Sequence, residues 1–137
     1  MILLDTSVLL WMVGGDRRLG AEARGTIELA ASTREAALSA ISFWEVGLLL
    51  SKGRISLAMP LPDFAAGLSR EGLFQVVPVD AAIAVEAGNL PAGIHGDPAD
   101  RLLIATARQL GCPLATSDAK ILAYAAQGRL AALDARL

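Results

Sequence analysis

Short apolar runs that stop at single acidic residues set the rhythm of this chain. Met1-Ile2-Leu3-Leu4 is apolar at every position and ends at Asp5. A run without alternation reads as a strand buried on both faces. Asp5 or Thr6 can cap the helix that follows, Ser7–Val13, which Gly14-Gly15-Asp16 breaks. Ala21–Ala31 reads as a second helix. Ala36–Ala40 is a strand on weak grounds, since alanine is a poor strand former. Ser42 is expected to cap Phe43–Leu50, which stops at Lys52-Gly53. Ile55–Leu57 is too short to place, and Pro62-Asp63 open a helix running to Glu71-Gly72. Phe74–Val79 carries the best strand signal, and Asp80 caps Ala81–Leu90. Pro91–Gly96 is the longest loop. Asp97 and Pro98 then start a helix that runs to Leu110-Gly111. Leu114–Thr116 is a strand, Ser117 or Asp118 opens a helix, and Arg129–Leu133 reads as a last strand. No repeat, linker or low-complexity stretch divides the chain, so residues 1–137 form one domain. Alternating strands and helices predict a mainly parallel sheet with helices on both faces.

Four acids stand where folding alone would not put them. Asp5 ends the first run, Glu45 interrupts Ile41–Leu50, Asp100 opens the apolar segment Arg101–Ala107, and Asp118 follows Pro113–Thr116. An unpaired carboxylate at a core costs several kcal/mol to bury. In parallel sheets, ligands bind beyond the carboxyl ends of the strands. Asp5 and Asp118 lie at such ends. Glu45 and Asp100 fall within reach, about one turn into their helices. The expectation is four carboxylates gathered around a cation.

Composition narrows the partners. The chain of 137 residues is 54% hydrophobic, with a mean hydropathy of +0.51. Even so, no stretch approaches the roughly 18 uninterrupted apolar residues of a membrane span. The first residues read as a strand and not as a targeting leader. The apolar excess points to a partner surface. A single cysteine, Cys112, excludes an intramolecular disulfide framework and fits a cytoplasmic protein with a buried structural thiol. Net charge is −2, from 12 basic and 14 acidic residues; without the four candidate ligands the remainder is slightly basic. A mildly basic surface around a cation-filled acidic pocket is consistent with this balance. Tight non-specific nucleic-acid binding is not.

The chemistry that suits such a pocket is phosphodiester hydrolysis assisted by Mg²⁺ or Mn²⁺, which favour carboxylate and water ligands. No Cys/His pair, zinc spacing or phosphate-binding GxxxxGK[ST] loop competes with it. Thr6, Ser7, Thr116 and Ser117 are placed to hydrogen-bond the carboxylates. Asp97 reads as a helix cap, with a place among the site acids as the rival reading; Asp118 reads as a site acid, with a plain helix cap as its rival. His95, the one histidine, is expected to make a loop hydrogen bond and cannot build a zinc cluster alone. Arg101 reads as a partner for an acid or for phosphate. Trp11 and Trp44 lie on apolar helix stripes and read as core or interface. Arg17, Arg18, Arg34, Lys52 and Arg54 form either an RNA-contacting rim or a solvated face.

Taken together, four segments resemble the acidic motifs of PIN-domain ribonucleases, specifically the VapC toxins of bacterial toxin–antitoxin pairs. They are Asp5-Thr6-Ser7-Val8-Leu9-Leu10-Trp11, Ser39–Val46, His95–Ala105 and Leu114–Ile121, in matching order over essentially the whole chain. The resemblance implies a three-layer α/β/α sandwich and a Mg²⁺- or Mn²⁺-dependent endoribonuclease. It assigns metal binding to Asp5, Glu45, Asp100 and Asp118, with Asp5 and Asp100 as the firmest ligands. It further implies a homodimer, a VapB-type antitoxin whose C-terminal segment covers the acidic groove, and structured RNA substrates such as tRNA or ribosomal RNA. Ala99 departs from the pattern, standing where relatives often carry an aromatic.

Two other classes stay open. One is a catalytically idle PIN-type binding module, which would have no reason to keep four repelling carboxylates. The other is a receiver-like phosphoryl-transfer domain. That reading needs a mid-chain phosphoacceptor Asp after a central strand, which neither Asp63 nor Asp80 supplies, and a late lysine, for which Lys120 is the candidate.

Overall fold

A computed structural model describes residues 1–70 and 73–137. Among the described residues, five strands are interspersed with seven helices: β1 (Ile2–Leu4), α1 (Thr6–Gly14), α2 (Ala21–Ser32), β2 (Ala36–Ser39), α3 (Ala40–Ser51), α4 (Leu61–Arg70), β3 (Gln75–Val77), α5 (Ala81–Gly88), α6 (Pro98–Leu110), β4 (Leu114–Thr116), α7 (Ala119–Ala126) and β5 (Ala132–Asp134). The strands form one sheet in the order β3-β2-β1-β4-β5, and every described pairing is parallel. The predicted α/β/α layering is therefore present.

Burial explains the unbroken apolar strands. In β1, Ile2 and Leu4 join a core cluster with Val8 and Leu9 of α1, Ala23 and Ile27 of α2, and Phe64 and Leu68 of α4. Leu3 points the other way, into a cluster with Leu103, Ile104 and Ala107 of α6 and Ile121 and Tyr124 of α7. A strand alternates its side chains between faces, so covering both faces requires apolar residues throughout. The alanines of β2 are overruled by the same context. Ala36, Ala37 and Leu38 are fully buried, and the strand pairs on both edges, with β1 and with β3.

Three expected boundaries shift. Ser39, not Ser42, caps α3, its hydroxyl accepting from the Ile41 amide at 3.2 Å. Ser42 lies fully buried inside the helix. β3 is shorter than Phe74–Val79, because its partner β2 ends at Ser39 opposite Val77 and Pro78 has no N–H to continue the ladder. The last strand begins at Ala132 and not at Arg129, in register with Leu114. The predicted end of α4 at Glu71-Gly72 lies outside the described residues. Among the described residues, no helix is long and apolar enough to cross a membrane.

Candidate functional site

β1 and β4 are central neighbours, and the helices that leave them start on the same edge of the sheet. Asp5 is the N-cap of α1 and Asp118 the N-cap of α7, while Asp97 caps α6 and Asp100 sits in its first turn. Three helix N-termini thus flank one place, and their positive ends partly offset the carboxylate charge. Glu45 arrives from the side, on α3. The result is a cleft of about 140 Å³ lined by Asp5, Thr6, Ser7, Glu45, Asp100, Leu103, Ser117 and Asp118. All four sequence-predicted acids are brought together there.

Each acid is held by a different device. Asp5 is 7% exposed; its Oδ1 accepts from the Val8 amide at 3.1 Å and its Oδ2 from the Thr116 hydroxyl. Burial nevertheless dominates these hydrogen bonds and raises its pKa above the ordinary carboxylate value. The Thr6 hydroxyl donates to Glu45 Oε1 and shares a 2.9 Å hydrogen bond with Ser42 Oγ. Glu45 also titrates high, chiefly from burial. Asp118 Oδ1 accepts the Lys120 and Ile121 amides at 2.8 and 3.0 Å, and the Asp118 amide donates to Thr116 Oγ1 at 3.1 Å. Asp100 is pushed up to about 7, first by burial, then by the charges of Asp97, Asp118, Glu45 and Asp5. Its amide donates to Asp97 Oδ1 at 3.0 Å, so Asp97 is a cap whose charge also bears on the site.

Some expected contacts are absent. Ser7 and Ser117 line the cleft, but among the described residues their hydroxyls make no hydrogen bond to a carboxylate; Ser7 instead supports Asp5 through its backbone amide. Among the described residues, Arg101 meets no acid, and it does not line the cleft. Its guanidinium donates to the carbonyls of Ala87 at 2.9 Å and His95 at 3.4 Å. Of the proposed basic rim, Arg34 precedes β2 and so lies at the opposite edge of the sheet. Arg18 pairs with Asp16 at 2.7 Å and stacks 5.0 Å over Trp11. Arg18 and Arg54 line a larger hollow of about 670 Å³ between α1, α3 and residues 55–59, which meets the acidic cleft at Ser7. Trp11 packs against the core, and Trp44 is 55% exposed. Ala99 is buried at the first turn of α6.

One participant was missed by sequence reasoning: Ser42, expected as a cap, braces Thr6 from inside α3. A serine inside an apolar helix segment was the only signal for it. His95 makes the expected loop hydrogen bond, its Nδ1 accepting the Asp97 amide at 3.2 Å. The fold adds proximity to the acids: one ligand atom each from His95, Asp100 and Asp118 lies within 4.8 Å of the others. The donor set fits a hard divalent cation. It is built of carboxylate and hydroxyl oxygens, and the elevated pKa of Asp100 reflects first its burial and then the neighbouring acids, both of which a bound cation would offset.

A parallel five-stranded sheet with acids clustered past its strand ends defines the class, and residues 2–127 match the model of the PIN domain. The chain belongs to the PIN-domain family, in its VapC branch. Ribonuclease VapC22 of Mycobacterium tuberculosis is 36% identical over 120 residues, covering 88% of each chain. FitAcB from Neisseria gonorrhoeae superposes with a TM-score of 0.63 at 26% identity, over 97% of this chain and 96% of that one. VapBC2 from Rickettsia felis, solved bound to a promoter DNA fragment, gives a TM-score of 0.69 over 97% of this chain and 98% of that one. At 18% identity it supports the fold alone.

Proposed function

We propose that this chain is a Mg²⁺- or Mn²⁺-dependent endoribonuclease, the toxin of a toxin–antitoxin pair, which hydrolyses phosphodiester bonds in structured RNA such as tRNA or ribosomal RNA and so inhibits translation. The observation that carries this reading is the convergence of Asp5, Glu45, Asp100 and Asp118 on one cleft, with Asp100 raised to about 7. The relative named a ribonuclease, 36% identical over most of its length, supports the activity. Asp5 and Asp100 are the principal metal ligands, with Glu45 and Asp118 completing the set. The chemistry a divalent cation supplies in such a site is activation of water and neutralisation of charge on the phosphate and leaving oxygen. The protein's part is positional. Thr116 fixes Asp5, Thr6 fixes Glu45, and the cap of α7 fixes one oxygen of Asp118.

Membership of the VapC branch supports a VapB-type antitoxin as partner. Its C-terminal segment would cover the acidic cleft and the adjoining hollow. We further propose a homodimer, in which part of the exposed apolar surface is covered; light scattering of the free chain should give twice 14.2 kDa. A site of action in the cytoplasm follows from the substrate.

The deciding experiment incubates purified wild type and Asp5→Asn with total RNA, in Mn²⁺ and in EDTA. Discrete fragments that require both Asp5 and the metal are expected, and mapping their ends would identify the target. Intact RNA in every lane, from folded and antitoxin-free protein, would instead favour an idle binding module.

A further inference from the structure

Among the described residues, one buried side-chain polar atom has no hydrogen-bond partner: His95 Nε2. It lies 3.3 Å from Asp100 Oδ2, off the line of a hydrogen bond, beside an acid that lines the cleft. The other ring nitrogen is committed. Nδ1 accepts the Asp97 amide at 3.2 Å, so a neutral ring carries its proton on Nε2. The loop that bears His95 is tied at both ends. Tyr124 donates its hydroxyl to Pro91 O at 2.8 Å, and Arg101 donates to His95 O from a guanidinium anchored on Ala87 O. Arg101 therefore fixes the backbone of a residue that faces the site, while its own charge points elsewhere.

A metal ion takes the lone pair of an imidazole nitrogen, and at Nε2 that lone pair is occupied by a proton as long as Asp97 holds Nδ1. The ring is thus set as a donor and not as a ligand. We propose that His95 is a positioning residue for Asp100: its Nε2–H holds Oδ2 and leaves Oδ1 turned into the cleft for the cation. The terminal torsion of an aspartate is soft, so a small rotation of the Asp100 carboxylate aligns the bond. This role rests on the metal-nuclease reading above and adds to it a fifth residue outside the carboxylate quartet. The rival arrangement is direct ligation by His95, since its nitrogen shares a 4.8 Å cluster with Asp100 and Asp118 oxygens.

Two measurements on the untagged full chain test it. The first is Mn²⁺ titration by calorimetry of wild type, His95→Ala and His95→Gln, each checked for folding by circular dichroism. Loss of an outer-shell partner typically weakens metal affinity by about 10–100-fold, so His95→Ala should fall in that range. His95→Gln, whose amide nitrogen takes the place of Nε2–H, should recover most of the loss. The second is ¹⁵N NMR of the imidazole, unambiguous because the chain has one histidine. The Nε2-protonated tautomer should persist when Mg²⁺ is added. Equal Mn²⁺ affinity of wild type and His95→Ala would overturn the role of His95 and leave the nuclease reading intact. A switch to Nδ1-protonated imidazole on loading would overturn it in favour of ligation. A wild type that takes up no divalent ion would overturn the nuclease reading itself.

Discussion

At the scale of the residue, the site is defined by a conflict between burial and charge. Asp100 titrates near 7 in the folded protein against an ordinary value of 3.8. Between those values the native state holds a proton that the unfolded state has lost. Stability therefore falls as pH rises across that window. Asp5 and Glu45 are shifted in the same direction. In EDTA the melting temperature should drop from pH 5 to pH 7.5, and Asp100→Asn should flatten that slope. A slope unchanged in the variant would assign the crowding elsewhere. Divalent-ion affinity should run the opposite way, rising with pH through about 7 as the competing proton leaves. The four acids were legible because each breaks an apolar run. The hydroxyl partners were only half legible. Spacing put Thr6, Ser7, Thr116 and Ser117 near the site alike, but rotamer and backbone direction let Thr6 and Thr116 alone reach a carboxylate.

At the scale of the element, Asp5 and Asp118 are helix caps as well as proposed ligands, which allows the two duties to be separated. Asp118 caps α7 through Oδ1. Asparagine is as good a cap as aspartate, whereas alanine is worse by about 1 kcal/mol. Asp118→Asn should therefore keep the denaturation midpoint of the metal-free protein and lose metal affinity, while Asp118→Ala should lose both. If the two variants melt alike, the cap is not supporting α7. The start of α2 depends on backbone and not on a side chain. Gly20 donates to Ala135 O and Ala23 to Leu137 O, each at 2.9 Å, and a Cβ at Gly20 would sit 2.0 Å from Leu137 O. Gly20→Ala should displace this closing segment and cost about 1–2 kcal/mol in urea denaturation, the worth of the hydrogen bonds it breaks. That contact was illegible in the sequence because it joins residues more than a hundred positions apart. Ser39 was passed over as a cap for a local reason. Ser42 stands just before the apolar run, while β2 gives way to α3 without an intervening turn.

At the scale of the whole molecule, the strand order does what no segment can do alone. It seats β1 and β4 side by side at the centre, with α1 and α7 leaving from the same edge. Residues at opposite ends of the chain, Asp5 and Thr116, then share a hydrogen bond. The alternation of strand and helix signals made the layers predictable; the order of strands was not, because it is set by how two cores close over one sheet. A site assembled from four separated segments exists only in the native state, so a cation bound there must stabilise the entire fold. At a hundredfold excess over its dissociation constant the gain is about 2.7 kcal/mol. For a domain of this size that corresponds to an upward shift in melting temperature of roughly 10 °C. Mg²⁺ or Mn²⁺ at millimolar concentration should therefore raise the melting temperature of wild type in differential scanning calorimetry. Asp5→Asn and Asp100→Asn should lose the increment, and Asp100→Asn should melt higher than wild type in EDTA, since it removes a carboxylate crowded by four others. A wild type indifferent to both ions would mean that the acids repel one another for some purpose other than holding a metal.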